Sequence, residues 1–178
     1  MRLAFLFFVL ILSLFLNIYY LWNNHSTKPT NTLQLSNEIK NYGVFCVGEE
    51  RPDVCYWFSN GGVVTNEAAT IVGNIVKINE VSDFRPALGK QFLDDYLWKN
   101  MTVIIEFLKG GKLDVKNLLL LRNDQDLIVT TNDEKIILFS LRFSPKNNII
   151  GLLSYLDKGA IKNASQIDLR VENKIFYK

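Results

Sequence analysis

The chain has 178 residues and a formal net charge of +2, with the two signs interleaved along its length. No basic patch stands out, which argues against a nucleic-acid partner, and one histidine with two cysteines does not make a metal-ligand set. Apolar residues make up 48% of the chain, enough for a packed core rather than a disordered tail.

Leu3 to Trp22 carries no charged side chain, and Arg2 is the only charged side chain before it. About 20 helical residues span the hydrocarbon core of a bilayer. Tyr19, Tyr20 and Trp22 gather at the far end of the run, where aromatic rings settle among headgroups. A cleaved signal peptide would have a shorter apolar region and a small-x-small exit. The run instead leaves through bulky aromatics into Asn23, Asn24 and His25. Residues 1–22 are therefore read as an uncleaved signal-anchor helix, with residues 3–22 in the lipid. Ser13 and Asn17, its only polar side chains, are read as bonding their own backbone. Arg2 and the α-amine flank the start, and only Lys28 follows closely. The N-terminus is thus expected in the cytoplasm and the rest of the chain outside it.

Residues 23–40 read as a linker rich in Asn, Thr and Ser with Pro29. Residues 41–178 read as one domain. Asn41–Val47 and Val54–Ser59 have the aromatic and β-branched content of strands. Asn60-Gly61 is read as a two-residue hairpin loop, which would set Phe58 opposite Val63 and Tyr56 opposite Thr65, with Val63–Asn66 as the third strand. Asn74–Glu80 is the fourth. Over Gln91–Leu108 the period changes: Leu93, Leu97, Met101, Ile104 and Leu108 recur at helical spacing, and Gly110-Gly111 ends the helix. Strands are then expected over Asp114–Leu121, Asp126–Thr131 and Lys135–Leu141. A second helix is expected to be capped by Ser144 with Pro145 at its first position. It would point Ile149, Ile150, Leu152, Leu153 and Leu156 inward and stop near Gly159. Ile167 to Val171 alternates like a half-buried strand, and Lys174 to Lys178 closes the chain. Together these elements predict an α+β domain: one mostly antiparallel mixed sheet with two helices, following the N-terminal transmembrane helix.

Little in the sequence builds an enzyme. His25 lies in the linker, and there is no nucleophile elbow, phosphate-binding glycine loop or histidine–carboxylate pair. Asp94-Asp95 and Asp124-Gln125-Asp126 are read as a solvated helix face and a turn rather than paired catalytic acids. No catalytic residue, cofactor, metal or small-molecule substrate is expected. Cys46 and Cys55 fall on the two arms of the first hairpin. With the turn centred between Glu50 and Arg51 they are cross-strand neighbours. Two readings stand: a disulfide, or two free thiols packed as small hydrophobes.

The order of motifs carries a resemblance. Tyr42-Gly43-Val44-Phe45-Cys46 precedes Cys55-Tyr56-Trp57-Phe58-Ser59-Asn60-Gly61-Gly62-Val63-Val64. Leu88-Gly89-Lys90 precedes the first helix, Asp133-Glu134-Lys135-Ile136-Ile137-Leu138 precedes the second, and Ile167-Asp168-Leu169-Arg170 comes near the end. Residues 41–177 resemble the extracytoplasmic β-domain of the FtsQ/DivIB family of bacterial cell-division proteins. Two departures from the family pattern are plain. Only Asn23 to Lys40 stand where the family usually carries a POTRA domain, and Ser59 stands where an acidic residue is common. The resemblance implies a non-enzymatic, single-pass scaffold of the division machinery in the inner membrane, at the septum. It also implies partners: small bitopic coiled-coil proteins, FtsB- or DivIC-like and FtsL-like. The implied contact is the final stretch: Arg170, Val171, Glu172, Lys174, Ile175, Phe176 and Tyr177. A terminal strand is suited to this, because an edge can accept another strand. The competing reading of Ile175, Phe176 and Tyr177 is that they finish the core. The alternative function is a generic membrane-anchored extracytoplasmic binding module of an envelope or pilus assembly apparatus, with a membrane-bound hydrolase behind both.

Overall fold

The computed structural model describes residues 41–48, 54–68 and 75–178, all within one compact unit, Ile39–Lys178. The expected anchor and linker lie outside the described residues, as does the turn between the cysteines. Among the described residues no helix is long and apolar enough to cross a membrane.

The elements in chain order are β1 (Asn41–Val47), β2 (Val54–Ser59), β3 (Val64–Glu67), β4 (Val76–Glu80), α1 (Asp95–Lys109), β5 (Val115–Leu121), β6 (Asp126–Thr131), β7 (Ile136–Ser140), α2 (Lys146–Asp157), β8 (Gln166–Leu169) and β9 (Phe176–Tyr177). The strands form one nine-stranded sheet in the order β3-β2-β1-β4-β5-β6-β7-β8-β9. The hairpin neighbours β1–β2, β2–β3, β5–β6, β6–β7 and β8–β9 pair antiparallel. β1–β4, β4–β5 and β7–β8 pair parallel. Parallel neighbours need a crossover, and each helix supplies one: α1 links β4 to β5, and α2 links β7 to β8. The fold is α+β with a mixed sheet and two helices.

Because side chains alternate across a strand, the registers sort them into rows. One row runs Tyr56, Phe45, Ile78, Leu118, Val129, Ile137, Ile167 and Tyr177. All of these except Tyr177 belong to the core, together with Leu97, Met101, Ile104, Ile105 and Leu108 of α1 and Ile149 and Leu152 of α2. On the opposite face a second row runs Cys55, Cys46, Asn79, Leu119, Ile128, Leu138, Asp168 and Phe176.

Several expectations are corrected. The Ser59–Val63 hairpin has a three-residue loop. Gly62 N–H donates to Ser59 C=O at 2.9 Å, Ser59 N–H donates to Val63 C=O at 2.9 Å, and the positive φ falls on Gly62 (+71°). This is the turn-plus-bulge solution rather than the two-residue one. It moves the register, so Phe58 opposes Val64 and Tyr56 opposes Glu67. Helix α1 starts at Asp95, because Asp94 caps it by accepting the Leu97 N–H at 2.9 Å. Its left-handed terminator is Gly111 (φ +74°), with Gly110 still right-handed. Ser144 does not cap α2, whose N-cap is Pro145 without a side-chain bond. Ile150 faces solvent at 65% exposure, since the helix buries the 148-149-152 stripe instead.

Candidate docking edge at the C-terminal strand

The closing stretch is not one strand. β8 ends at Leu169, and Arg170 to Ile175 form a connection before the two residues of β9. Lys174 N–H donates to Val171 C=O at 3.1 Å, closing a turn in which Asn173 takes a positive φ of 58°, a conformation asparagine tolerates. The turn interrupts the alternation that began at Ile167, so of the expected contact residues only Phe176 and Tyr177 lie on the sheet edge.

Each sheet face ends at that edge in an aromatic ring. Tyr177 continues the core row one strand beyond Ile167 and emerges half-exposed, its ring 5.9 Å from that of Tyr155 on α2. Phe176 ends the other row beside Asp168 and is 53% exposed. Tyr155, against the Tyr177 ring, is exposed as well, and so is Ile136, which pairs with Gln166 on the neighbouring strand. Isolated exposed apolar side chains are ordinary, whereas several at one sheet edge are informative. A hollow of about 180 Å³ lies between Gln166, Asp168, Phe176, Tyr177 and Lys178. Ile175, by contrast, packs against the core, so the closing residues divide: Ile175 finishes the core and the two aromatics do not.

Backbone geometry shows which groups remain free among the described residues. Lys178 and Gln166 exchange both hydrogen bonds, Lys178 N–H to Gln166 C=O at 3.1 Å and Gln166 N–H to Lys178 C=O at 3.2 Å. In an antiparallel ladder bonded and non-bonded pairs alternate. Phe176 is therefore turned to Asp168, while the N–H and C=O of Tyr177 point away from the sheet. The other edge is different. At the start of β3, Val64 N–H donates to Lys90 C=O at 2.9 Å and Val64 C=O accepts from Gly89 N–H at 2.8 Å, so a loop covers it there.

Behind the edge sits a charged latch. Arg170 reaches Asp168 with Nη2 at 2.7 Å and Nε at 3.0 Å, and its Nη1 lies 3.4 Å from Asp126. Arg142 approaches the same Asp126 at 3.5 Å. The bonded Arg170 guanidinium holds the Asp168 carboxyl below its ordinary range, and Arg170 is held above its own. Asp126, expected in a solvated turn, is buried at the start of β6. Burying a carboxylate requires partners, and the two arginines supply them. On β4, two strands from β6, a second buried acid, Glu80, takes a bidentate grip from Arg122 at 2.7 and 2.7 Å.

Sequence reasoning missed Asn148. This buried helix residue donates to the carbonyls of Leu169 and Val171 at 2.9 Å and of Lys174 at 3.2 Å, and accepts the Asn173 N–H at 2.8 Å. The available signal was a polar residue four positions before Leu152, on the buried side of an otherwise apolar stripe.

Cys46 and Cys55 lie opposite each other on β1 and β2 and are joined by a disulfide, with Cys46 fully buried. Among the described residues no group of three or more His, Cys, Asp or Glu side chains could hold a metal. No protein-family model and no curated protein matches the chain.

Proposed function

We propose that this chain is a non-enzymatic, membrane-anchored scaffold of the bacterial division machinery, of the FtsQ/DivIB type, and that its β9 edge receives a strand from a small bitopic coiled-coil partner. The observation that carries the reading is the edge itself: among the described residues its outward Tyr177 backbone groups have no strand beside them, and half-exposed Phe176 and Tyr177 flank it on the two faces. An added strand would satisfy the outward Tyr177 groups and cover both rings. Backbone bonds would give affinity, and the flanking side chains would give specificity. The apolar run Leu3–Trp22 supports the anchoring, and the ordered motifs from Tyr42 to Arg170 support the family.

The test is co-purification of the full chain with short single-pass coiled-coil proteins of its host, beside a fluorescent fusion followed through division. Septal localisation and loss of the co-purified partner in Tyr177→Ala are the expected results. A fusion spread evenly around the envelope, with the same partner retained by the variant, overturns the reading.

A further inference from the structure

We propose that Asn148 and Gly151 of α2 are positioning residues for the docking edge. Helix α2, more than the pairing with β8, holds β9 in place. The functional meaning of this inference rests on the docking reading above; its structural content does not.

The pairing of β9 is short: two strand residues, with Lys178 after them bonded to Ser165 and Gln166. What accompanies it is a ladder of contacts with one stripe of α2. Asn147 Nδ2 donates to Asn173 Oδ1 at 2.9 Å. Gly151 lies under Ile175, so close that an added Cβ would stand 2.8 Å from Ile175 Cδ1. Tyr155 meets the ring of Tyr177. Each step of the ladder is four residues on the helix and two on the chain beside it. Four helical residues advance about 6 Å and two extended residues about 6.6 Å, so the two repeats stay in phase over the whole of residues 173–177. Asn148 fixes where the ladder starts. It gathers the carbonyls of Leu169, Val171 and Lys174 and the N–H of Asn173 on one buried side chain. That closes the turn and sends Ile175 towards Gly151. The slot over Gly151 takes the tip of Ile175, which a single added methyl could displace by a rotamer change but a branched side chain would crowd out, and Ile175 is the residue that brings the next two to the edge.

The experiment is hydrogen exchange on the full-length protein in detergent micelles, read at the Ser165, Gln166, Phe176 and Lys178 amides, with Ile128 and Val129 of β6 as internal reference. Asn148→Asp keeps an acceptor for Asn173 N–H but removes every donor to the three carbonyls. Gly151→Val fills the slot, although valine is a better helix former than glycine. Each is expected to speed exchange at Phe176 and Lys178 at least about tenfold while β6 stays protected. Adding Ile175→Ala to Gly151→Val removes as many carbons from the slot as valine put in, and protection should return. Unchanged exchange in both single variants overturns the proposal. So does equal acceleration in β6 and β9, or a double variant that stays loose. All of these are read without a partner. If exchange follows expectation but the co-purified partner still binds both single variants, the docking reading fails and the positioning role stands.

Discussion

At the edge, three consecutive residues do different work. Phe176 and Tyr177 are about half-exposed, so Phe176→Ala or Tyr177→Ala should leave the midpoint of denaturant unfolding nearly unchanged, within the ~0.5 kcal/mol typical of surface changes. A buried aromatic anchor at an interface loses more than ~2 kcal/mol on truncation, about thirty-fold in affinity, and that loss should appear in titration with the co-purified partner. Ile175→Ala should do the reverse in emphasis and cost about 1–3 kcal/mol of stability, since Ile175 packs against Gly151 and the core. Equal unfolding midpoints for the three variants would refute this division. Asp168 provides a pH signature. Its carboxyl is held low by the Arg170 guanidinium. A group depressed in the folded state contributes stability above its unfolded value, near pH 3.9, and loses it as pH falls through the folded value. The Arg170–Asp168 latch should therefore be intact at neutral pH and open in acid, below about pH 4. An NMR titration of the Asp168 carboxyl carbon with a midpoint at or above that of a model aspartate would contradict it.

At the element scale the hairpins and the edge strand make separable claims. Gly62 turns the β2–β3 hairpin with φ +71°, and a Cβ there would stand 2.7 Å from the Trp98 ring. Left-handed geometry alone costs an L-residue about 1–2 kcal/mol. Gly62→Ala should thus lower stability by at least ~2 kcal/mol, measured by denaturant midpoint; a change near zero would mean that the loop relaxes to another turn. For β9, proline distinguishes the two sides of the strand, because it deletes one N–H. At Tyr177 the lost donor points outward. At Lys178 it is the one bonded to Gln166. Tyr177→Pro should abolish partner binding while the Phe176 amide, paired to Asp168, stays protected from exchange, and Lys178→Pro, which leaves the Gln166 C=O without its donor, should speed exchange at Phe176. The same exchange pattern in both variants would show that the register of β9 has been read one residue out of step.

At the scale of the whole molecule, the covalent link and the proposed anchor bear on compartment. The disulfide joins residues nine apart in sequence, and closing so short a loop limits its entropic contribution to about 2–3 kcal/mol. The extensive core on the helix face should let the Cys46→Ala, Cys55→Ala double variant fold, with a stability loss of that size. Failure to fold would mean that the bond is required and not supplementary. Such a bond persists in oxidising compartments, in keeping with the orientation expected from Arg2 and the apolar run. Protease added to intact spheroplasts should degrade residues 41–178. Protection of that segment would reverse the proposed topology and remove the compartment argument for the disulfide.

Much of the fold was legible in the sequence because it is local. Aromatic and β-branched content marked β1 and β2, the Asn60-Gly61 turn marked the strand after it, alternation from Ile167 marked β8, the stripe from Leu93 to Leu108 marked α1, and the spacing of Cys46 and Cys55 about their turn placed them on facing strands. These patterns depend on neighbours a few residues away, which is why boundaries moved by only a few positions. The docking edge was legible only as a stretch. Alternation from Ile167 suggested one long strand, and only the tertiary structure showed the break at Arg170, because the turn is made by Asn148, more than twenty residues away on another element. The same holds for Asp126 and Glu80. Whether a carboxylate is solvated or buried depends on which arginine the fold brings to it, and here Arg142, Arg170 and Arg122 arrive from other elements or the loops that follow them. Periodicity reports which side of an element faces the core. It cannot report which polar group on another element will complete a turn, pair a charge or leave an edge open.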